Sequence, residues 1–154
     1  MNGLSIRNMQ KDIYKILLLS GGADSMLLNQ RYKFDKKVFF DYGQKHKDFE
    51  LEKCKKNIDD IISLPEFRTK NKEVNCRNFT FISNIVSIYG DKNIEIYIGT
   101  NKNDKYNDNS RIFYDNLEKF INKISFNKVL IKTPLIKMDK KDILKELNLD
   151  FYTD

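Results

Sequence analysis

Only two cysteines stand in the chain, Cys54 and Cys76, far apart and outside any paired motif. That scarcity excludes a disulfide framework and a CxxC metal site and points to a reducing compartment. No apolar run approaches the roughly 20 residues that span a bilayer, and the opening stretch MNGLSIRNMQKD has no signal-peptide core. The expected location is the cytoplasm, with no membrane involved. The two prolines, Pro65 and Pro134, fall at loop or strand margins, and there are no internal repeats, linkers or low-complexity segments. With 40% hydrophobic and 32% charged residues and no such interruption, residues 1–154 are expected to form one soluble globular domain. The net charge of +6 comes from lysines spread evenly along the chain, so no dedicated nucleic-acid surface is expected.

What is present is an alternation. Short, nearly continuous apolar runs occur at Ile13–Leu19, Lys37–Tyr42, Ile94–Thr100 and Lys128–Leu135, as expected for strands covered on both faces. Segments with helical spacing separate them. In 48–64, residues Phe49, Leu51, Cys54, Ile58, Ile61 and Ile62 recur at intervals of three and four, predicting one helix. Further helices are predicted over 77–90, closed by Gly90, over 110–124, and from Asp139, whose side chain suits an N-cap. A weaker strand is expected near the TKNKEVN stretch, 69–75. The pattern implies a three-layer α/β/α sandwich around a five-stranded parallel sheet, Rossmann-like, with ligands beyond the carboxyl ends of the strands.

The first strand runs into Ser20-Gly21-Gly22-Ala23-Asp24-Ser25. Two glycines let the backbone turn sharply and gather N–H groups, two serine hydroxyls add donors, and the next helix presents its positive end to the same point. An anion such as a phosphate is the natural occupant. Asp24 beside phosphates is best explained by a shared Mg²⁺, which takes carboxylate, phosphate and water oxygens. No lysine follows the glycines, so this is not the GxxxxGK[ST] loop. After the second strand, Gly43 breaks the chain and Gln44, Lys45 and His46 offer polar groups to a ligand.

The SGGADS string resembles the SGGxDS loop of the PP-loop ATP pyrophosphatases, which split ATP between its α and β phosphates to adenylate a substrate. Within them, the string Asp41-Tyr42-Gly43-Gln44-Lys45-His46 looks like the DYGQRH element of the 7-cyano-7-deazaguanine synthase (QueC) family. Further elements follow in the right order over most of the chain, from Lys15 to Asp150. CRNFTF at 76–81 is similar to the family's GRN-x-x-FL, with Cys76 in place of the glycine. Gly99, Asn101, Asp104, Arg111 and Phe113 match a G-x-N-x-x-D segment and the string after it, although Asp108-Asn109-Ser110 replaces the family's Pro-Asp-Cys. Lys140 and Asp142 match the lysine and acid of PL-x-x-x-[ST]-K-x-E-I.

This resemblance implies an ATP-dependent ligase of the queuosine and 7-deazapurine pathway, converting 7-carboxy-7-deazaguanine and ammonia to the nitrile preQ0 by way of an amide. Adenylation makes the substrate carboxylate electrophilic, and a second activation of the amide oxygen allows its dehydration. It implies ATP and Mg²⁺ as cofactors, with Ser20, Gly21, Gly22, Ala23, Asp24, Ser25, Asp41, Tyr42, Gly43 and Gly99 on the nucleotide side. Asp24 would hold the Mg²⁺, and Lys140 and Arg111 would stabilise the departing pyrophosphate. On the substrate side it places Gln44, His46, Arg77, Asn101, Asp104 and Tyr106, the Asp104 carboxylate accepting from the guanine-like N–H groups. Tyr42 and Tyr106 would offer stacking surface.

Typical members carry four zinc-binding cysteines after the last matched helix; the sequence ends at Asp154 just before that segment would start, and no zinc is expected here. The expected forms are then a compact variant that stops at the amide, a reduced form completed by a partner chain, or a truncated product without activity. A homodimer fits the family and an exposed C-terminal edge. Two other functions fit the same loop: adenylation of a different carboxylate or nucleobase, or a degenerate module that binds ATP without turnover.

Overall fold

A computed structural model describes residues 13–147. The opening dodecapeptide, with its missing signal core, and the C-terminal edge assigned to dimer contacts lie outside the described residues.

In chain order the elements are β1 (Tyr14–Leu18), α1 (Ala23–Arg31), β2 (Lys36–Asp41), α2 (Lys47–Cys54) with a 3-10 turn (Lys55–Asn57), β3 (Asp60–Ser63), β4 (Thr69–Lys70), β5 (Glu73–Val74), α3 (Arg77–Tyr89), β6 (Ile94–Tyr97), α4 (Arg111–Ile124), β7 (Val129–Lys132) and α5 (Lys140–Glu146). Five strands pair in parallel in the order β3-β2-β1-β6-β7. This is the α/β/α sandwich with a five-stranded parallel sheet that the alternation predicts. The centre of the sheet reads as unbroken apolar sequence because both of its faces are covered, whereas the edge strands β3 and β7 alternate between more and less buried positions.

Successive side chains of β1 point to opposite faces and found two cores. Ile16 and Leu18 pack with Val38, Phe40 and the buried faces of α3 and α4, including Phe81, Ile85 and Tyr114. Leu17 and Leu19 pack with Phe39, Leu27 and Leu28 of α1, Cys54 of α2 and Ile143 of α5. Each fully buried Leu or Ile contributes about 1.5–3 kcal/mol. These two layers hold the strand ends, and so the loops beyond them, in fixed relation.

Two expectations are corrected. The helix predicted over 48–64 stops at Cys54, and Asp60–Ser63 is the third strand of the sheet. Ile58, Ile61 and Ile62 fit a helical spacing, but Asn57, Asp59 and Asp60 are weak helix formers and isoleucine is β-branched. Tertiary contacts then decide: Asp59 accepts from the Lys37 N–H at 2.7 Å, and Asp60 meets Lys36 at 3.2 Å and the Tyr89 hydroxyl at 2.5 Å. The strand expected near 69–75 is instead a small antiparallel hairpin, β4–β5. Asn71 and Lys72 at its tip both have positive φ, the geometry that matches strand twist in a two-residue turn. Helices α3, α4 and α5 lie where the periodicity placed them, and Asp139 caps α5 by accepting from the Asp142 N–H. Gly90 is the C-cap of α3, with φ −80° rather than a left-handed turn.

The order of strands reverses between β1 and β6. In a doubly wound sheet this is where a crevice opens beyond the carboxyl ends. The chain places Ser20–Ser25 after β1 and Gly99 after β6 at that point.

Candidate active site

The turn from β1 to α1 is shaped by its glycines. Gly21 has φ +80°, and a Cβ there would stand 2.5 Å from the Glu50 carbonyl oxygen, so the loop leans directly on α2. Gly22 is the N-cap of α1 and provides no side-chain acceptor for the first-turn N–H groups. By contrast, Ser110 and Asp139 cap α4 and α5 with their side chains. A Cβ on Gly22 would meet only the Ser20 hydroxyl, at 3.4 Å. The Ser20 and Ser25 hydroxyls stand 3.3 Å apart, and Ser25 donates to the Gly22 carbonyl at 3.1 Å, which holds the loop open. Uncapped amides and two hydroxyls thus face one cavity of about 540 Å³, within the size range of small-ligand pockets.

Behind the loop, Asp24 is buried and held on both oxygens. Asn101 donates to Oδ2 at 2.7 Å and the Lys140 ammonium to Oδ1 at 3.2 Å. Burial pushes the Asp24 carboxyl above its ordinary value, against the pull of the Lys140 charge and the Asn101 hydrogen bond. The Asn101 and Lys140 contacts belong to a longer chain of bonds. Asn103 receives the Lys140 N–H, Asp104 Oδ2 accepts from the Asn101 N–H at 3.0 Å and from Asn109 at 3.1 Å, and Asn109 in turn accepts from Thr100 and Tyr114. Gly99 closes the contact: a Cβ there would lie 2.7 Å from Cβ of Asp24 and 3.0 Å from the Ser25 nitrogen. Only a glycine lets the end of β6 pass this close to the first turn of α1.

The cavity wall on the β2 side is built around Gln44. Its Oε1 accepts from the Tyr42 N–H, and its Nε2 donates to the Phe40 carbonyl at 3.0 Å and to Glu50 Oε2 at 3.1 Å. Phe40 stacks on Phe81 with centroids 4.3 Å apart, giving a flat apolar floor. Arg77 stands over Phe81 and also lines the cavity, as does His46. Asn78, beside Arg77, is fixed by Asp108, which accepts from both its backbone and side-chain N–H groups. Burial pushes the Glu50 carboxyl up, while Gln44 and the Arg77, His46 and Lys53 charges pull it back.

The structure therefore brings Ser20, Gly21, Gly22, Ser25, Tyr42, Gln44, His46, Arg77 and Gly99 to the cavity. Asp24, Asn101, Asp104 and Lys140 form the bonded layer behind it. Ala23 is fully buried in the α1 core. Asp41 ends β2, where it binds the Gly43 N–H and pairs with Lys47, and Gly43 turns with φ +73°. Tyr106 stands at an adjoining cleft of about 60 Å³, lined also by Asp108, that shares Arg77 with the cavity. Arg111 does not line the cavity; it binds Asp115, the Ile131 carbonyl of β7 and the Thr133 hydroxyl just after that strand. Sequence reasoning missed Glu50, Lys53, Asn78 and Asn109 as wall residues. The signal for Glu50 was present in its place on the helix after Gln44.

These residues fit a nucleotide. The loop offers first-turn helix amides with no side-chain cap, and Gly22 lines the cavity beside them. Asp24, at the end of the loop itself, brings one carboxylate to it, which suits an ion held chiefly by phosphate and water oxygens. Among the described residues no group of three or more His, Cys, Asp or Glu side chains is placed to hold a metal ion. No described helix is long and apolar enough to cross a membrane.

Comparison with known proteins gives three findings. The family model described as "Queuosine biosynthesis protein QueC" matches residues 56–151, more than half of the chain. No curated protein matches the chain. Among solved structures, a predicted subunit of a tRNA methyltransferase from Methanocaldococcus jannaschii is similar, with a TM-score of 0.56 and 18% identity, over 92% of this chain and 77% of that one. At that identity the likeness shows the fold.

Proposed function

The chain belongs to the QueC family, and on that premise we propose that it activates the carboxylate of 7-carboxy-7-deazaguanine with ATP and passes it to ammonia. The product is the amide or, after a second activation, the nitrile preQ0. The family supplies the coarser statement, an ATP-dependent PP-loop enzyme of the 7-deazaguanine pathway. The single observation that supports the activation step is the uncapped start of α1, opening with Ser20 and Ser25 onto the cavity.

Each residue's work follows from its surroundings. The amides after Gly22 and the two serine hydroxyls hold the phosphates and stabilise charge on the pyrophosphate as it leaves. Asp24 keeps lone pairs beyond those used by Asn101 and Lys140 and would take part in holding Mg²⁺, which when bound neutralises phosphate charge. Lys140 is aimed at the loop by Asp24 and supplies the fixed cation beside it. Arg77, set over Phe81, receives the substrate carboxylate, and the Phe40–Phe81 floor takes the flat ring. The chain works as one PP-loop ATP pyrophosphatase domain in the cytoplasm, with small-molecule partners, and a homodimer fits this scheme.

The test is incubation of the purified protein with Mg-ATP and 7-carboxy-7-deazaguanine, with and without ammonium, followed by mass spectrometry. Substrate-dependent AMP with amide or nitrile is the expected result. AMP formation that ignores the deazaguanine acid would overturn it.

A further inference from the structure

The acid expected to read the N–H edge of the ring, Asp104, is not in a position to do so. Its Oδ2 is taken by the Asn101 N–H and Asn109, and it does not line the cavity. Among the described residues that line the cavity, Glu50 is the one carboxylate. We propose that Glu50 is the residue that recognises the lactam edge of the deazaguanine, accepting hydrogen bonds from its ring N–H and its exocyclic amine; this deepens the reading of the site given above and rests on it.

Three features of the structure support the assignment. Glu50 is fixed from both ends. Its backbone is the surface on which Gly21 leans, and its side chain is tied through Gln44 to the end of β2, because Gln44 spends its remaining bonds on Tyr42 and Phe40. Gln44 fills one acceptor position on Oε2, so the carboxylate keeps capacity on both oxygens. Its half-buried setting also makes a charged hydrogen bond stronger than it would be in water.

The chemistry chooses between the two rings that the reaction brings to the cavity. A guanine-type edge presents two adjacent donors, which a carboxylate meets in parallel. Adenine presents a donor beside an acceptor, and a carboxylate, which has no proton to give, can meet only the donor. Specificity follows from the loss: a ring without the exocyclic amine leaves one carboxylate oxygen unmatched in a partly desolvated wall.

The experiment measures binding of 7-carboxy-7-deazaguanine, its analogue lacking the exocyclic amine, and ATP to the wild-type protein and to the Glu50→Gln and Glu50→Asp variants, with thermal melts as a check of folding. Loss of one charged hydrogen bond corresponds to about 10- to 100-fold in affinity. Glu50→Gln is expected to weaken the deazaguanine acid by that factor and to abolish the preference for it over the analogue. Its ATP affinity and melting temperature are expected to stay those of wild type, and Glu50→Asp, which keeps the charge, is expected to retain part of the preference. A Glu50→Gln variant that keeps the full preference overturns the proposal while leaving the proposed function intact, and one that instead loses ATP assigns Glu50 to the nucleotide. A wild-type protein that binds neither ring compound overturns both.

Discussion

Gly21 and Gly22 are neighbours in one loop, yet the structure predicts opposite outcomes when each is changed to alanine. At Gly21 the new methyl must take a backbone with φ +80° and would stand 2.5 Å from the Glu50 carbonyl and 2.9 Å from its Cα. Positive φ costs a non-glycine residue about 1–2 kcal/mol, and overpacking against backbone adds about 1–3 kcal/mol. The sum, about 2–5 kcal/mol, corresponds at roughly 2–4 °C per kcal/mol to a fall in Tm of about 4–20 °C. At Gly22 φ is −81° and the methyl meets only the Ser20 hydroxyl at 3.4 Å. Its cost is below about 1 kcal/mol, since alanine is a somewhat poorer N-cap than glycine. The same methyl is added at a residue that lines the cavity, beside the Ser20 hydroxyl proposed to hold phosphate, so Gly22→Ala is expected to weaken ATP binding while melting close to wild type. Gly21→Ala is expected to melt early and to lose activity because the loop has moved. Differential scanning calorimetry and ATP titration read both quantities. Equal melting of the two variants, or full ATP affinity in Gly22→Ala, would refute the reasoning.

Replacing Lys140 by Met removes the cation that opposes the burial of Asp24. The already raised carboxyl pKa then rises further, so the acid limb of ATP turnover moves to higher pH; an unmoved limb in the pH profile contradicts this link. Asn101→Ala removes the 2.7 Å donor to buried Asp24 and is expected to cost about 1–3 kcal/mol in urea denaturation, with a fall in ATP turnover. Burial pushes the Cys54 thiol up to about 11, whereas Cys76 is exposed. Alkylation near pH 8 is therefore expected to label Cys76 alone in the folded protein and both thiols after unfolding, with rapid labelling of Cys54 in the folded state as the contrary result.

The strands of the sheet centre were legible because β1, β2 and β6 are covered on both faces and so read as continuous apolar runs. Strand β3 was not. Its Ile61 and Ile62 continue the spacing of α2, and the choice between helix and strand is made by Asp59 and Asp60 bonding to β2 and to Tyr89, contacts distant in sequence. The site divides in the same way. Ser20–Ser25 could be read directly because a glycine turn between strand and helix has local physics of its own. Asp104 and Glu50 could not be ranked, since what separates them is which one lines the cavity and which is bonded to Asn101 and Asn109 behind it, and both depend on the folded chain. Arg111 shows the same limit, for its partners Ile131 and Thr133 lie on and just after a strand that follows it by about one helix.

The most direct measurement uses 7-carboxy-7-deazaguanine carrying ¹⁸O in its carboxylate, with Mg-ATP and ammonium. If the carboxylate oxygen attacks the α-phosphate and ammonia then displaces AMP, one ¹⁸O atom appears in the AMP and pyrophosphate remains unlabelled. Unlabelled AMP, or label in inorganic phosphate alongside ADP, would contradict activation by adenylation at this loop.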